Sequence, residues 1–140
     1  MVRFVRAPLF LIVAALVLDV ACLSVVRTQL QCAADHGALA GVLEIDFELL
    51  ASGVCSVNVE AAKAASHAFA RQNLLLNMIT DKVTECDILV TAQNPCAGTG
   101  GEGPEYPTVT VEITLPLTLP LSRIVRTIKV RAAASLVPRP

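Results

Sequence analysis

The stretch QLQCAADHGALAG, residues Gln29–Gly41, lies directly behind an apolar run that ends near Val26. Small residues dominate it, and no proline follows Pro8 before Leu43. The two stretches therefore predict one uninterrupted helix from about Phe4 to about Leu43. Its first part is apolar enough for a bilayer, and its second part continues into a polar compartment. Leu30, Ala33, Ala34, Gly37, Ala38 and Gly41 recur at three- and four-residue spacing, so they share one face. Gly37 and Gly41 form a GxxxG step with Ala34 and Ala38 beside it. Such a stripe, Ala34–Gly37–Ala38–Gly41, lets another backbone approach closely. That backbone belongs either to this chain's own second helix or sheet, or to another subunit.

Upstream, Arg3 and Arg6 precede the apolar run from Pro8 to Val26. At 1.5 Å per residue the run spans about 28 Å, close to the hydrocarbon thickness of a bilayer. Positive charge before it favours a cytoplasmic N-terminus and an exported remainder. Two cleaved alternatives compete with a retained anchor. One is a secretory signal cut after Ala21, and the other is a lipoprotein signal with Cys22 acylated. Asp19 spoils both, because it falls where a small uncharged residue or a leucine is expected. The division expected is a cytoplasmic start and membrane helix over 1–28 and an exported domain over 29–140.

Asp19 is the anomaly of the run. An ionisable group at the centre of a membrane helix costs about 2.5–3.5 kcal/mol on insertion scales. Cys22 and Leu23 lie one turn on, so its own helix offers no base. Asp19 is expected either to be hydrated at the outer interface or to make a polar contact with another membrane component.

The 140-residue chain allows one small domain plus an anchor. It is 54% hydrophobic but only 4% aromatic, so its core must be built from Ala, Val, Leu and Ile. A formal net charge of -1 argues against a general nucleic-acid binder. Of five cysteines, Cys22 lies in the apolar run, and Cys32, Cys55, Cys86 and Cys96 lie beyond it. In an oxidising compartment four cysteines make two disulfides with three connectivities open. Nearest-neighbour pairing is the expectation: Cys32 with Cys55, and Cys86 with Cys96. There is no CxxC, and His36 and His67 have no evident metal-ligand spacing to the cysteines, so no metal or cofactor is expected.

Along the rest of the chain the helical pattern lapses between Glu44 and Val57, with a turn at Ser52-Gly53. Ser56 or Asn58 can cap a second helix that runs to about Thr80. Ala61, Ala65, Ala68, Leu75 and Ile79 fall near one of its faces, and Lys63, Arg71 and Asn77 toward others. The period then changes to two. Strands are expected over Val83–Ala92, Thr108–Leu115 and Ile128–Leu136, forming one antiparallel sheet with an apolar face for the helices. Asn94–Pro107 reads as a Gly-rich hairpin connection, without the lysine and following helix of a phosphate-binding loop. Pro116 and Pro120 should stop the second strand from continuing regularly. The fold class is α+β: a long N-terminal membrane-spanning helix, a second helix and a three-stranded antiparallel sheet.

No nucleophile has a base at helical or strand spacing. Ser66 and His67 are neighbours in sequence and point apart on a helix, as do Asp35 and His36. Enzymatic activity and a small-molecule substrate are not expected.

Residues Asp19 through Gly41 resemble the start of TadE/TadG-like proteins of bacterial Tad (Flp) pilus assembly. That pattern has an acid in the outer half of the membrane helix. A Leu-Gln follows about a dozen residues later, then small residues with an Asp, then Ala-Leu-Ala-Gly. Asp19, Leu30, Gln31, Ala33, Ala34, Asp35, Ala38, Leu39, Ala40 and Gly41 match it. Cys32, His36, Gly37 and Val42 depart from it. Thr108–Leu115 and Lys129–Ser135 resemble the end of such domains. No prepilin-peptidase site precedes the apolar run. The resemblance implies a pilin-like domain on a single-pass anchor in the bacterial inner membrane. It also implies contacts to other pilus-assembly proteins through the N-terminal helix. An anchored or lipidated binding or adhesion module is the alternative.

Overall fold

The computed structural model describes residues 2–77, 85–95 and 104–137. Helix α1 runs unbroken over Val2–Val42, with Pro8 in its second turn and no proline after it. A five-residue helix α2 spans Phe47–Ala51, and α3 spans Val59–Asn77. Strands β1 (Asp87–Gln93), β2 (Thr108–Thr118) and β3 (Val125–Ser135) form an antiparallel meander in the order β1-β2-β3. The molecule is α+β, with two helices on one face of a three-stranded sheet.

Alternation decides which face is covered. Val109, Val111, Ile113, Leu115 and Leu117 of β2 are buried, as are Ile128, Val130 and Ala132 of β3. The intervening Thr110, Glu112 and Thr114 lie on the other face, where Lys129 Nζ meets Glu112 Oε1 at 2.7 Å. Helix α1 crosses β2 and β3, and α3 packs on α1 and β1. One core cluster joins Leu30, Ala34, Ala38, Ala70 and Leu74 to the central strand. A second, smaller cluster gathers Val42, Val57, Ala62 and Val109.

Three local expectations change. First, β2 continues through Pro116 to Thr118, with Pro116 opposite Thr127. Pairing with β1 ends at Thr114, so Pro116 sits where β2 has a neighbour on one side only. Pro120 lies in the turn that follows. Second, the inward face of α3 is Ala62, Ser66, Ala70 and Leu74. Ala68 and Leu75 are exposed, and Ile79 lies outside the described residues. The small side chain of Ser66 lets α1 approach here. Third, β1 begins at Asp87, with Glu85 and Cys86 ahead of the ladder. The expected helix end at Thr80, the start of that strand at Val83 and most of the Gly-rich loop lie outside the described residues.

The stretch between α1 and α3 is more ordered than its pattern suggests. Asp46 caps α2 by accepting from the Glu48 and Leu49 N–H groups. Ile45 and Val57 form an isolated bridge, and the Asp46 N–H donates to the Ser56 carbonyl at 3.0 Å. The Asn94 amide clasps both backbone groups of Val57, each at 2.9 Å. Gly53 supplies the positive φ of the expected turn. Asn58 caps α3 through the Ala61 N–H at 3.1 Å.

The Asp19 junction and the faces of the long helix

Residues 9–18 of α1 pack against little of the rest of the chain. Leu9, Phe10, Leu11, Ile12, Leu16 and Leu18 are all exposed. This is the segment of a helix that is long and apolar enough to cross a membrane, near the N-terminus. From Asp19 onward the helix joins the domain. Helix α1 passes through residue 28 without a break, as expected, and its contact with the rest of the chain starts at Asp19.

Asp19 is only 6% exposed. Its Oδ1 accepts from the Leu121 N–H at 3.2 Å and its Oδ2 from the Ser122 N–H at 3.0 Å. Both donors lie in the β2–β3 turn, so the contact is made within the chain. Two charge-assisted backbone bonds offset much of the cost of placing the acid in an apolar helix. The rest of the turn is closed in the same way. The Leu119 N–H donates to the Ile124 carbonyl at 2.9 Å, and the Arg123 N–H to the Leu119 carbonyl at 3.0 Å. Arg123 has φ 55°, the left-handed conformation that reverses the chain.

The small-residue stripe packs inside the molecule. A Cβ on Gly37 would meet the Ala70 Cβ and the Ser66 carbonyl oxygen, each at 3.0 Å. A Cβ on Gly41 would collide with Ser66 Oγ, and would lie 2.9 Å from Val109 Cγ1 and 3.0 Å from the Ala62 carbonyl oxygen. Ala34 and Ala38 are buried beside them. Of the two backbones open to it in the sequence, the stripe meets its own second helix. Ser66 Oγ is buried there without a hydrogen-bond partner, an outcome of that close approach.

The other residues of the motif divide between the faces of α1. Leu30 is in the core and Gly41 at the helix contact. Gln31 Nε2 bridges to Asp35 Oδ1 at 3.0 Å and to the Arg131 carbonyl of β3 at 3.3 Å. Ala40 is half-buried, and Asp35 and Leu39 are exposed. On that outer face Cys32 Sγ lies 3.4 Å from His36 Nδ1, a pairing at four-residue spacing that the sequence reading passed over. The same Nδ1 is 2.7 Å from the Cys32 carbonyl oxygen. A carbonyl can only accept, so Nδ1 carries the proton and has no lone pair with which to deprotonate the thiol. Ser66 is buried and His67 exposed, so they do not meet. Among the described residues no group of three or more His, Cys, Asp or Glu could hold a metal ion.

The expected Cys32–Cys55 disulfide is not formed; both are free thiols. Cys55 adjoins the Asp46–Ser56 contact, beyond the end of α1 at Val42. About ten helical residues, or about 15 Å, separate Cys32 from that end. A disulfide needs Cα atoms within about 7 Å. Cys96 lies outside the described residues, and Cys86 is half-buried next to the core. Burial pushes the Cys86 thiol pKa up, and the neighbouring Glu85 carboxylate adds to the shift.

Comparison with protein-family models, curated proteins and solved structures finds no match for this chain.

Proposed function

We propose that this protein is a membrane-anchored, pilin-like, non-enzymatic component of a Tad (Flp) type pilus or a related secretion system. In this reading it is held in the bacterial inner membrane with its C-terminal domain outside the cytoplasm. The observation that carries the proposal is the division of labour along α1. The exposed apolar residues 9–18 suit lipid, and the Leu30–Val42 half is the central support of a small α+β domain. The resemblance of Asp19–Gly41 to TadE/TadG-like sequences supplies the system. The retained anchor agrees with Asp19, which is engaged by the turn and lies where a cleavage signal would need a neutral residue.

A partner surface is available on the same helix. Away from the sheet, α1 exposes Val25, Leu39 and Leu43 on a side of the exported half that nothing in the described chain covers. Leu39 belongs to the motif yet contributes nothing to the core, which is what a contact to another assembly component requires. The experiment is surface piliation in the native bacterium with the gene deleted, then restored as wild type or as Leu39→Glu. Loss on deletion, rescue by wild type, and no rescue by a normally abundant Leu39→Glu protein support the reading. Normal piliation after deletion would overturn it and favour an anchored binding or adhesion module.

A further inference from the structure

We propose that the β2–β3 turn is a second membrane contact, entering the headgroup and outer acyl region of an anionic phospholipid surface beside α1. The inference rests on the reading of α1 as a membrane anchor. The first support is depth. Ala7–Leu18 is free of charge but covers only about 18 Å of helix, well short of the about 30 Å of hydrocarbon. The whole stretch between Arg6 and Arg27 covers about 30 Å. A spanning α1 must therefore place Asp19 below the outer boundary, about 12 Å from the level of Arg27. The turn is bonded to Asp19 and goes with it.

The second support is that the turn suits such a place. Backbone in a bilayer must find its hydrogen bonds within the protein. The N–H groups of Leu119, Leu121, Ser122 and Arg123 all do so, and Pro120 has none to satisfy. Three apolar side chains turn outward, Leu121, Ile124 and Val125, at 52%, 50% and 63% exposed, with Ser122 and Arg123 exposed between them. In this setting Asp19 is the acceptor for two of the turn's N–H groups.

The third support is charge. Just above the turn, a groove between α1 and β3 is lined by Leu23, Arg27, Arg126 and Lys129. Lys129 is paired with Glu112, whereas Arg27 and Arg126 form no ion pair among the described residues. The Arg27 and Arg126 guanidiniums above the turn, and Arg123 at its tip, match a phosphate layer over the acyl chains that take Leu121, Ile124 and Val125.

The chain contains no tryptophan, so Ile124→Trp in the full-length protein is a single fluorescent reporter at an exposed site. It is reconstituted in vesicles carrying doxyl-labelled phosphatidylglycerol or doxyl-labelled phosphatidylcholine, and the same sample is washed with carbonate. The expected result is blue-shifted emission, quenching by the doxyl lipids and protection from aqueous acrylamide. Quenching by phosphatidylglycerol should exceed that by phosphatidylcholine. Arg27→Gln or Arg126→Gln should each reduce that preference about fivefold, the scale of one basic residue near an anionic surface. Inorganic phosphate should not compete. A carbonate-resistant protein whose reporter is open to acrylamide and untouched by doxyl lipids would overturn the inference and leave the anchor standing. A protein released by carbonate would overturn both. Leu121→Trp repeats the measurement should Ile124→Trp disturb the turn.

Discussion

Asp19 and Ser122 are hydrogen-bonded at 3.0 Å although 103 positions separate them in the chain. The contact ties the one acid of the apolar run to the tip of the last hairpin. It sets the height at which the sheet meets the apolar part of α1, and it gives Asp19 partners that no neighbour in its own helix could supply.

Asp19→Ala should free the hairpin tip. It leaves the Leu121 and Ser122 N–H groups without their protein acceptor, so the turn loses both bonds to α1. Asp19→Asn keeps an oxygen for one of the two donors and should fall between. Amide hydrogen exchange of Leu121 and Ser122 in micelles measures this directly. Unchanged protection in Asp19→Ala would show that the carboxylate does not hold the turn.

Gly41→Ala should destabilise more than Gly37→Ala. At both sites the added methyl meets a helix carbonyl oxygen at 3.0 Å, but at Gly41 it also collides with Ser66 Oγ and comes within 2.9 Å of Val109 Cγ1. At Gly37 two contacts at 3.0 Å leave a few tenths of an ångström to recover. Overpacking of this kind costs about 1–3 kcal/mol. Thermal unfolding of the two variants checks the order, and equal stability would mean that α1 and α3 can separate freely.

Ser66→Ala should be neutral or stabilising by about 1 kcal/mol, since it removes a buried hydroxyl that has no partner. A marked loss of stability on denaturant titration would indicate that the hydroxyl is satisfied in solution.

Alkylation should distinguish the thiols. The raised pKa of Cys86 leaves less thiolate at any given pH, so its rate profile moves to higher pH. Half-buried Cys86 should react more slowly at pH 8 than Cys32, which is exposed on α1. Peptide mass mapping of a timed reaction reads both. In protein from its native host, a Cys86 that reacts only after reduction would indicate pairing with Cys96. A Cys86 as fast as Cys32 without reduction would exclude both the burial and the bond.

Much of this molecule was determined by the sequence alone. The unbroken α1 follows from the absence of any proline between Pro8 and the end of the helix at Val42. The inward faces of β2 and β3 follow from strict alternation at Val109–Leu115 and at Ile128–Ala132, because side chains in a strand point to opposite faces by geometry. Asn58 as a cap and Gly53 as a turn follow from local chemistry. The inward face of α3 did not, because Ala and Ser are so alike in size that periodicity cannot choose between adjacent rows. Nor did α2, which is too short to show a period and rests on its Asp46 cap. The partner of Asp19 and the use of the Gly37–Gly41 step were open in the sequence. Both depend on segments far along the chain, and only the packing of the sheet and α3 onto α1 brings those segments within reach.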